Sequence, residues 1–325
     1  MIRDHGGGLD AAIATYGGQR AYWLDLSTGI NPVPYPVGHI PSDAWTALPD
    51  TDAQRRLTRA ARAFWNVPDA AEIVAAPGAS ALIARIPSLV DENEAYIPTP
   101  TYNEHAAAFR AAKYEVSDIP HAQQGVQVFV SPNNPTGDFA PTENTFDRRL
   151  NIIDESFCDI SPEHSLIKHS SKPGVLILKS FGKFWGLAGV RLGFAIAHAS
   201  TLSSLEDTAH SQSRSSMKDM LGPWPVAGPA LEIGARALED FAWAKATRAR
   251  LANDALRLDT IMQKSGAQIV GGTDLFRLYE VNDAPAWQNR LASNHVWSRI
   301  FPYSNRWLRL GLPAPAQWAQ LEAAL

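Results

Sequence analysis

Between residues 52 and 197 the sequence repeats one alternation: a short apolar run, a turn marked by Gly, Pro or Asn, then a longer amphipathic stretch. A chain with that rhythm buries its runs as strands of a mostly parallel sheet and lays the intervening stretches on the sheet as crossover helices. Strands are predicted at Glu72–Ala75, Glu94–Ile97, Tyr114–Ile119, Val126–Val130, Asn151–Asp154, Val175–Leu178 and Leu192–Ala197. Helices are predicted at Asp52–Asn66, Ala79–Leu89 and Asn103–Ala112. In the first of these, Leu57, Ala60, Ala61 and Phe64 share one face and Arg55, Arg56, Arg59 and Arg62 lie elsewhere. No repeat period is visible, so the seven strands imply one large sheet.

The tail reads differently. Pro223–Gln263 is rich in Ala, Leu and Arg and predicts two long helices. Short strands follow at Gln268–Val270, Leu275–Glu280 and Trp307–Leu310, with a helix at Ala284–Ser293. The expected class is therefore α/β: a large, mostly parallel sheet domain with helices on both faces, plus a smaller α+β domain. The expected division is an arm over 1–45, rich in Gly and Pro and packed on the small domain and the active site, a large domain over 46–205 and a small one over 206–325.

Composition narrows the function. Hydrophobic residues make up 45% of the 325 and charged residues 19%, which suits a globular core and excludes disordered or collagen-like chains. With 29 Lys and Arg against 33 Asp and Glu, the net charge of −4 offers no general attraction to nucleic acid or anionic membranes. The single cysteine, Cys158, excludes an internal disulfide framework and a Cys-based zinc site. His164 and His169, five apart in a polar loop, read as solvated rather than metal-bound, and no metal is expected. No run approaches about 18 uninterrupted apolar residues. The opening Met1–Gly8 lacks an apolar signal core, so a cytoplasmic protein is expected.

The segment Lys179–Phe194 carries the chemistry. Lys183 follows a buried strand and sits among Phe, Trp, Leu and Gly, and desolvation there disfavours its ammonium form. A lysine so placed favours condensation with a carbonyl. Ser180 and Arg191 flank it, and a hydroxyl and a guanidinium can hold one phosphate together. Two rival motifs fail. Gly78-Ala79-Ser80-Ala81-Leu82 lacks the second glycine of a nucleophile elbow, and Gly182-Lys183 is followed by Phe184 rather than the Ser or Thr of a P-loop.

Ser180-x-x-Lys183, Leu187-Ala188-Gly189, then Arg191-Leu192-Gly193 resembles the lysine motif of the fold-type I pyridoxal-phosphate aminotransferase superfamily. Four more segments follow that superfamily's order: Pro77–Ser80, Pro100–Tyr102, Ser131–Gly137 with Asn-Pro-Thr-Gly, and Ile152–Phe157 with a strand-end aspartate. Each alone has an ordinary explanation, as a turn, an N-cap or a core aromatic. Together they imply pyridoxal 5′-phosphate as cofactor. The resemblance implies that Lys183 binds it covalently and that Asp154 meets its ring nitrogen. It further implies Asn134 donating to its 3-oxygen, Tyr102 stacking on the ring, and Gly78, Ala79, Ser80, Ser180 and Arg191 holding its phosphate.

The N-terminus narrows the family. His5-Gly6-Gly7, a short amphipathic helix, then Asp25-Leu26-Ser27-Thr28-Gly29-Ile30-Asn31-Pro32 resembles the opening of the L-threonine O-3-phosphate decarboxylases of cobalamin biosynthesis. The C-terminal Arg306-Trp307-Leu308-Arg309-Leu310-Gly311 is similar to the superfamily's substrate-binding segment. This implies a small phosphorylated amino-acid substrate, with Arg309 and the Gly29, Ile30 and Asn31 backbone on its carboxylate, Arg299 on its phosphate, and His5 closing over it. Arg306 reads as a solvated charge. A homodimer is implied too. Two departures stand out: Leu48-Pro49-Asp50 where dimeric relatives carry Tyr-Pro-Asp, and Phe157 where several carry Tyr. Histidinol-phosphate aminotransferase, which shares every cofactor motif, and a non-catalytic protein of the same fold are the alternatives.

Overall fold

A computed structural model describes residues 5–120, 125–142, 146–203 and 216–325. Seven strands build its large sheet: β2 (Ala71–Ala76), β3 (Glu94–Tyr96), β4 (Glu115–Ser117), β5 (Val126–Val130), β6 (Leu150–Asp154), β7 (Val175–Ser180) and β8 (Gly193–His198). Their order is β2-β8-β7-β6-β5-β3-β4, and every neighbouring pair is parallel except the two that β8 makes. The continuous apolar runs have their reason in burial on both faces. Val175, Ile177 and Ile153 point to the core shared with Leu57, Trp65 and Leu231, while Leu176, Leu178 and Ile152 point to Leu82, Ile83 and Phe109.

Each predicted strand is present, Val126–Val130 with the same ends and the others with ends shifted by one to three residues. The predicted helix from Ala79 to Leu89 is instead a single turn and a half, Ala79–Ile83, followed by a short 3-10 turn at Ile86–Ser88. Pro87 supplies no amide hydrogen to continue the helix. The helices Thr51–Trp65, capped by the Asp50 carboxylate on the Ala53 amide at 2.8 Å, and Asn103–Ala111 fall close to expectation.

Register aligns the chemistry. Ala76, Gly193 and Ser180 lie in one row, and Val130, Asp154 and Leu178 in another, so four loops leave the sheet along one edge. In open α/β sheets that carboxyl edge is where ligands bind.

The two long helices are Gly228–Glu239 and Phe241–Lys264. The first packs on Thr51–Trp65, with Gly234 pressed against Leu57 and Leu192 and Arg56 bridging to Glu232 and Glu239 at 2.8 and 2.7 Å. A second, antiparallel sheet follows, in the order β12-β13-β10-β9: β9 (Gln268–Thr273), β10 (Phe276–Glu280), β12 (Arg299–Phe301) and β13 (Ser304–Gly311). Strand β12 was not anticipated, nor was the parallel pair of β1 (Leu24–Asp25) with β11 (Val296–Trp297). That pair, with Leu9, Ala12 and Trp23 packed on Ala292, fastens the N-terminal segment to the helix Ala284–Ala292 and the strand after it. Among the described residues no helix is long and apolar enough to cross a membrane.

Candidate active site

At the carboxyl edge of the large sheet lies a cavity of about 170 Å³. Ala79, Ser80, Tyr102, Asn134, Asp154, Phe157, Ser180, Lys183 and Arg191 all line it, so the structure gathers the predicted cofactor residues in one place. Gly78 sits just behind them.

Lys183 stands three residues past β7. Its carbonyl accepts from the Asn31 and Gly186 amides, both at 3.0 Å, which fixes the loop and sends the side chain inward. Nζ lies 5.0 Å from the centre of the Phe157 ring. Burial, then the nearby Arg309 charge, lower its pKa; Asp154 opposes and Arg191 adds, and the amine settles at about 8. It is an amine that is readily neutral, in a cavity.

Asp154 ends β6, buried. Burial raises its pKa, but the His105 Nε2 contact at 2.8 Å and that ring's charge outweigh it, with help from the Ser156 hydroxyl at 2.5 Å and amide at 3.0 Å. The carboxylate is therefore held below its ordinary range, charged in a dry place. Sequence reasoning missed His105. The available signal was its spacing: His105 and Phe109 lie one turn apart on the buried face of Asn103–Ala111.

Behind the cavity the backbone is drawn tight. Gly78 (φ +87°) starts the helix Ala79–Ile83, and a Cβ there would stand 2.6 Å from Arg191 Nη2. Arg191 is itself left-handed at φ +53°, and its guanidinium lies against Gly78 in the wall it shares with Ser80 and Ser180. Two hydroxyls, a guanidinium without an ion pair among the described residues, and the first amides of a helix thus converge on one spot. That is a cradle for an anion.

Towards solvent the cavity opens into a cleft of about 360 Å³ that shares Tyr102, Asn134, Phe157 and Lys183 and adds His5, Arg299, Tyr303 and Arg309. Arg299 of β12 lies directly opposite Arg309 of β13 in the antiparallel register. Like charges so placed repel, and an anion between them relieves the cost. Arg309 is buried, donates through Nη2 to the Ser27 carbonyl at 2.6 Å and through Nη1 to Asn134 Oδ1, and lies 5.1 Å from the Phe276 ring centre. His5 reaches the rim, 2.9 Å from Glu104 and 6.1 Å from the Tyr102 ring.

The remaining substrate candidates divide. Gly29 presses on Phe157 and Phe276, where a Cβ would meet them at 2.9 and 2.8 Å, so it lets the arm pass close to the site. Ile30 lines neither cavity. The Asn31 backbone amide is taken by the Lys183 carbonyl, its side-chain nitrogen Nδ2 donates to the Phe184 carbonyl at 2.8 Å, and its Oδ1 accepts from Arg250 at 2.6 Å. That side chain braces the Lys183 loop and does not face the cavity. Asn134 likewise offers its oxygen to Arg309. Arg306 pairs with Glu280 at 2.6 Å on the surface, as a solvated charge should.

A second buried network went unread. Lys179 lies 2.7 Å from Glu155 and 3.4 Å from Asp159, and Asp159 accepts the indole N–H of Trp65 and Trp185 at 2.8 and 2.9 Å. It clamps the ends of β6 and β7 to the loop that follows Lys183.

Residues 40–325 match the family described as aminotransferase class I and II. The chain belongs to that family. Among curated members, threonine-phosphate decarboxylases from a Sinorhizobium species and from Pseudomonas aeruginosa are 37% and 36% identical to it. The matches span 96% and 99% of this chain and 94% and 97% of theirs. Among solved structures of this aminotransferase fold, histidinol-phosphate aminotransferase from Sinorhizobium meliloti in complex with pyridoxal-5′-phosphate has a TM-score of 0.79. It is 20% identical, with 100% of this chain and 94% of that one covered.

Proposed function

We propose that this aminotransferase-family protein is a pyridoxal 5′-phosphate-dependent decarboxylase that converts L-threonine O-3-phosphate to (R)-1-amino-2-propanol O-2-phosphate and CO₂, a step of cobalamin biosynthesis. The cofactor suits the cavity on three counts: a buried amine that deprotonates easily, a carboxylate kept ionised at the far wall, and an anion cradle at Gly78–Ser80, Ser180 and Arg191. Lys183 would hold it covalently, Asp154 its ring nitrogen, Tyr102 a ring face, and Asn134 its 3-oxygen. Once bound, the cofactor supplies an electron sink for the bond broken at the substrate α-carbon.

The protein's own residues then do the selecting. The observation that carries the proposal is the facing pair Arg299 and Arg309 at the mouth of the lysine cavity. A substrate with a carboxylate and a phosphate satisfies both. Arg309, braced by Ser27 and Asn134, suits the carboxylate through two parallel N–H donors, and Arg299, with His5 at the rim, suits the phosphate. Holding both anions sets which α-carbon bond faces the cofactor, and orientation of this kind is worth several kcal/mol. Lys183, whose buried amine lines the cavity, would return a proton to the α-carbon. The curated relatives of near full length carry the same activity in their names.

The same proposal takes the enzyme to be a cytoplasmic homodimer divided into an arm at 1–45, a large unit at 46–205 and a small unit at 206–325. The exposed Leu48, which stands where dimeric relatives carry the Tyr of Tyr-Pro-Asp, and the exposed Trp45 beside it support the dimer. The test is cofactor-loaded enzyme with L-threonine O-3-phosphate and no keto acid. CO₂ and aminopropanol phosphate, lost in Lys183→Ala, support the proposal. Amino transfer from histidinol phosphate to 2-oxoglutarate without CO₂ overturns it, and silence in both assays points to the non-catalytic alternative.

A further inference from the structure

The small sheet touches the cavity through bare backbone. Strand β9 is one of its two edge strands, exposed at Gln268, Ile269 and Val270, yet at Gly271–Gly272 it runs against the loop that carries Asn134. The Gly272 amide donates to the Thr136 carbonyl at 2.8 Å. A Cβ on Gly271 would stand 2.3 Å from that carbonyl oxygen, and one on Gly137 would stand 2.1 Å from the Gly272 oxygen. No side chain fits at this seam.

Two further facts give the seam a purpose. Across the small sheet Gly271 pairs with Leu278 and Leu278 with Arg309, so the contact and the arginine lie in one row of three strands. On the other side the loop is internally tied: Asn133 Nδ2 donates to the Pro100 carbonyl and the Thr136 hydroxyl, both at 3.0 Å, and its carbonyl accepts the Gly137 amide at 2.8 Å. A stiff loop and a stiff sheet thus meet at Gly271–Gly272, and the circuit closes where Arg309 donates to Asn134.

We propose that Gly271 and Gly272 are positioning residues whose absent side chains set the spacing between Asn134 and Arg309, and so determine how well the site takes the α-carboxylate of its substrate, a claim that rests on the decarboxylase assignment above. The seam acts on the carboxylate because Arg309 is the group it places. It does not act on the amine, which other elements hold, and it reaches Arg299, the candidate for the phosphate, only beyond Arg309, one strand farther along the same row.

Gly271→Ala is a clean wedge, since Gly271 is not left-handed and the methyl meets only Thr136. Relief of a 2.3 Å contact requires a shift of about 1 Å, a displacement able to cost up to about 100-fold. In the cofactor-loaded enzyme the KM for L-threonine O-3-phosphate rises at least about tenfold. The inhibition constant of aminopropanol phosphate, which has lost the carboxylate, stays within about threefold of wild type by the same reasoning. Gly137→Ala applies the wedge from the other side should Gly271→Ala not fold. Gly266→Ala, left-handed at φ +94° with nothing within 4 Å, controls for general loosening of the small sheet and keeps the wild-type ratio. Equal loss of substrate and product affinity in the wedge variants, or an unchanged ratio, overturns the inference while wild-type turnover stands. Wild-type enzyme that releases no CO₂ overturns the decarboxylase assignment, and this inference with it.

Discussion

Covalent capture of the cofactor depends on how much of Lys183 is neutral, and the structure makes that quantity predictable. Its amine titrates at about 8, against the ordinary 10.5, because it is buried and faces the Arg309 charge. At pH 7 about one amine in ten is then neutral, where an unperturbed lysine offers about one in 3,000. In stopped-flow mixing of apoenzyme with pyridoxal 5′-phosphate, the rate of covalent capture rises about tenfold per pH unit up to about pH 8 and levels off above about 9. Arg309→Met removes the second-largest cause of the depression, so the half-point moves up and capture at pH 7 slows. The comparison isolates Lys183, because titration of the added cofactor is common to both proteins. A half-point near the ordinary lysine value, or one unmoved in Arg309→Met, refutes the reasoning.

Three other outcomes follow from the same geometry. His105→Leu removes the partner that keeps Asp154 charged, a charge-assisted contact worth about 1.5–3 kcal/mol, so kcat for CO₂ release falls about 10–100-fold. Because the native pKa of Asp154 is depressed, its carboxylate survives as pH falls; without His105 it protonates at higher pH, and the acid limb of the kcat profile shifts upward. Arg309→Lys replaces a two-pronged donor with a point charge, and kcat/KM for L-threonine O-3-phosphate drops about 10–100-fold, more through KM than kcat. Asp159→Asn sets an amide against two indole N–H groups and Lys179 in a dry pocket; urea unfolding shows a loss of about 3 kcal/mol.

What could be read from the sequence was whatever leaves a local mark. Runs such as Val175–Leu178 are apolar throughout because both faces are covered, and the Ser180-to-Gly193 string is contiguous because one strand, one loop and one hairpin return build that wall. Glu155, Lys179 and Asp159 leave no such mark, and the spacing of His105 marks only a buried face and not its partner. Their partners lie on other strands and helices or in other loops, far off in the sequence or in a turn of no regular period. Arg299 and Arg309 were both visible as candidates, but that they face one another depends on the register of β12 and β13, which shifts between Ile300 and Phe301. The Asn31 side chain braces the Lys183 loop because Arg250, 219 residues away, arrives beside it, and no local pattern announces that meeting. Long-range register and burial decide such roles, and neither has a local period.

The central claim is that this site breaks the bond from the α-carbon to the carboxylate and reprotonates that carbon. Turnover of L-threonine O-3-phosphate in D₂O without a keto acid, followed by NMR and CO₂ trapping, tests it directly. The expected product carries one deuterium on the carbon that lost the carboxylate, with one CO₂ for each amine formed. Deuterium appearing instead at the α-carbon of recovered L-threonine O-3-phosphate, with no CO₂ released, would contradict the account.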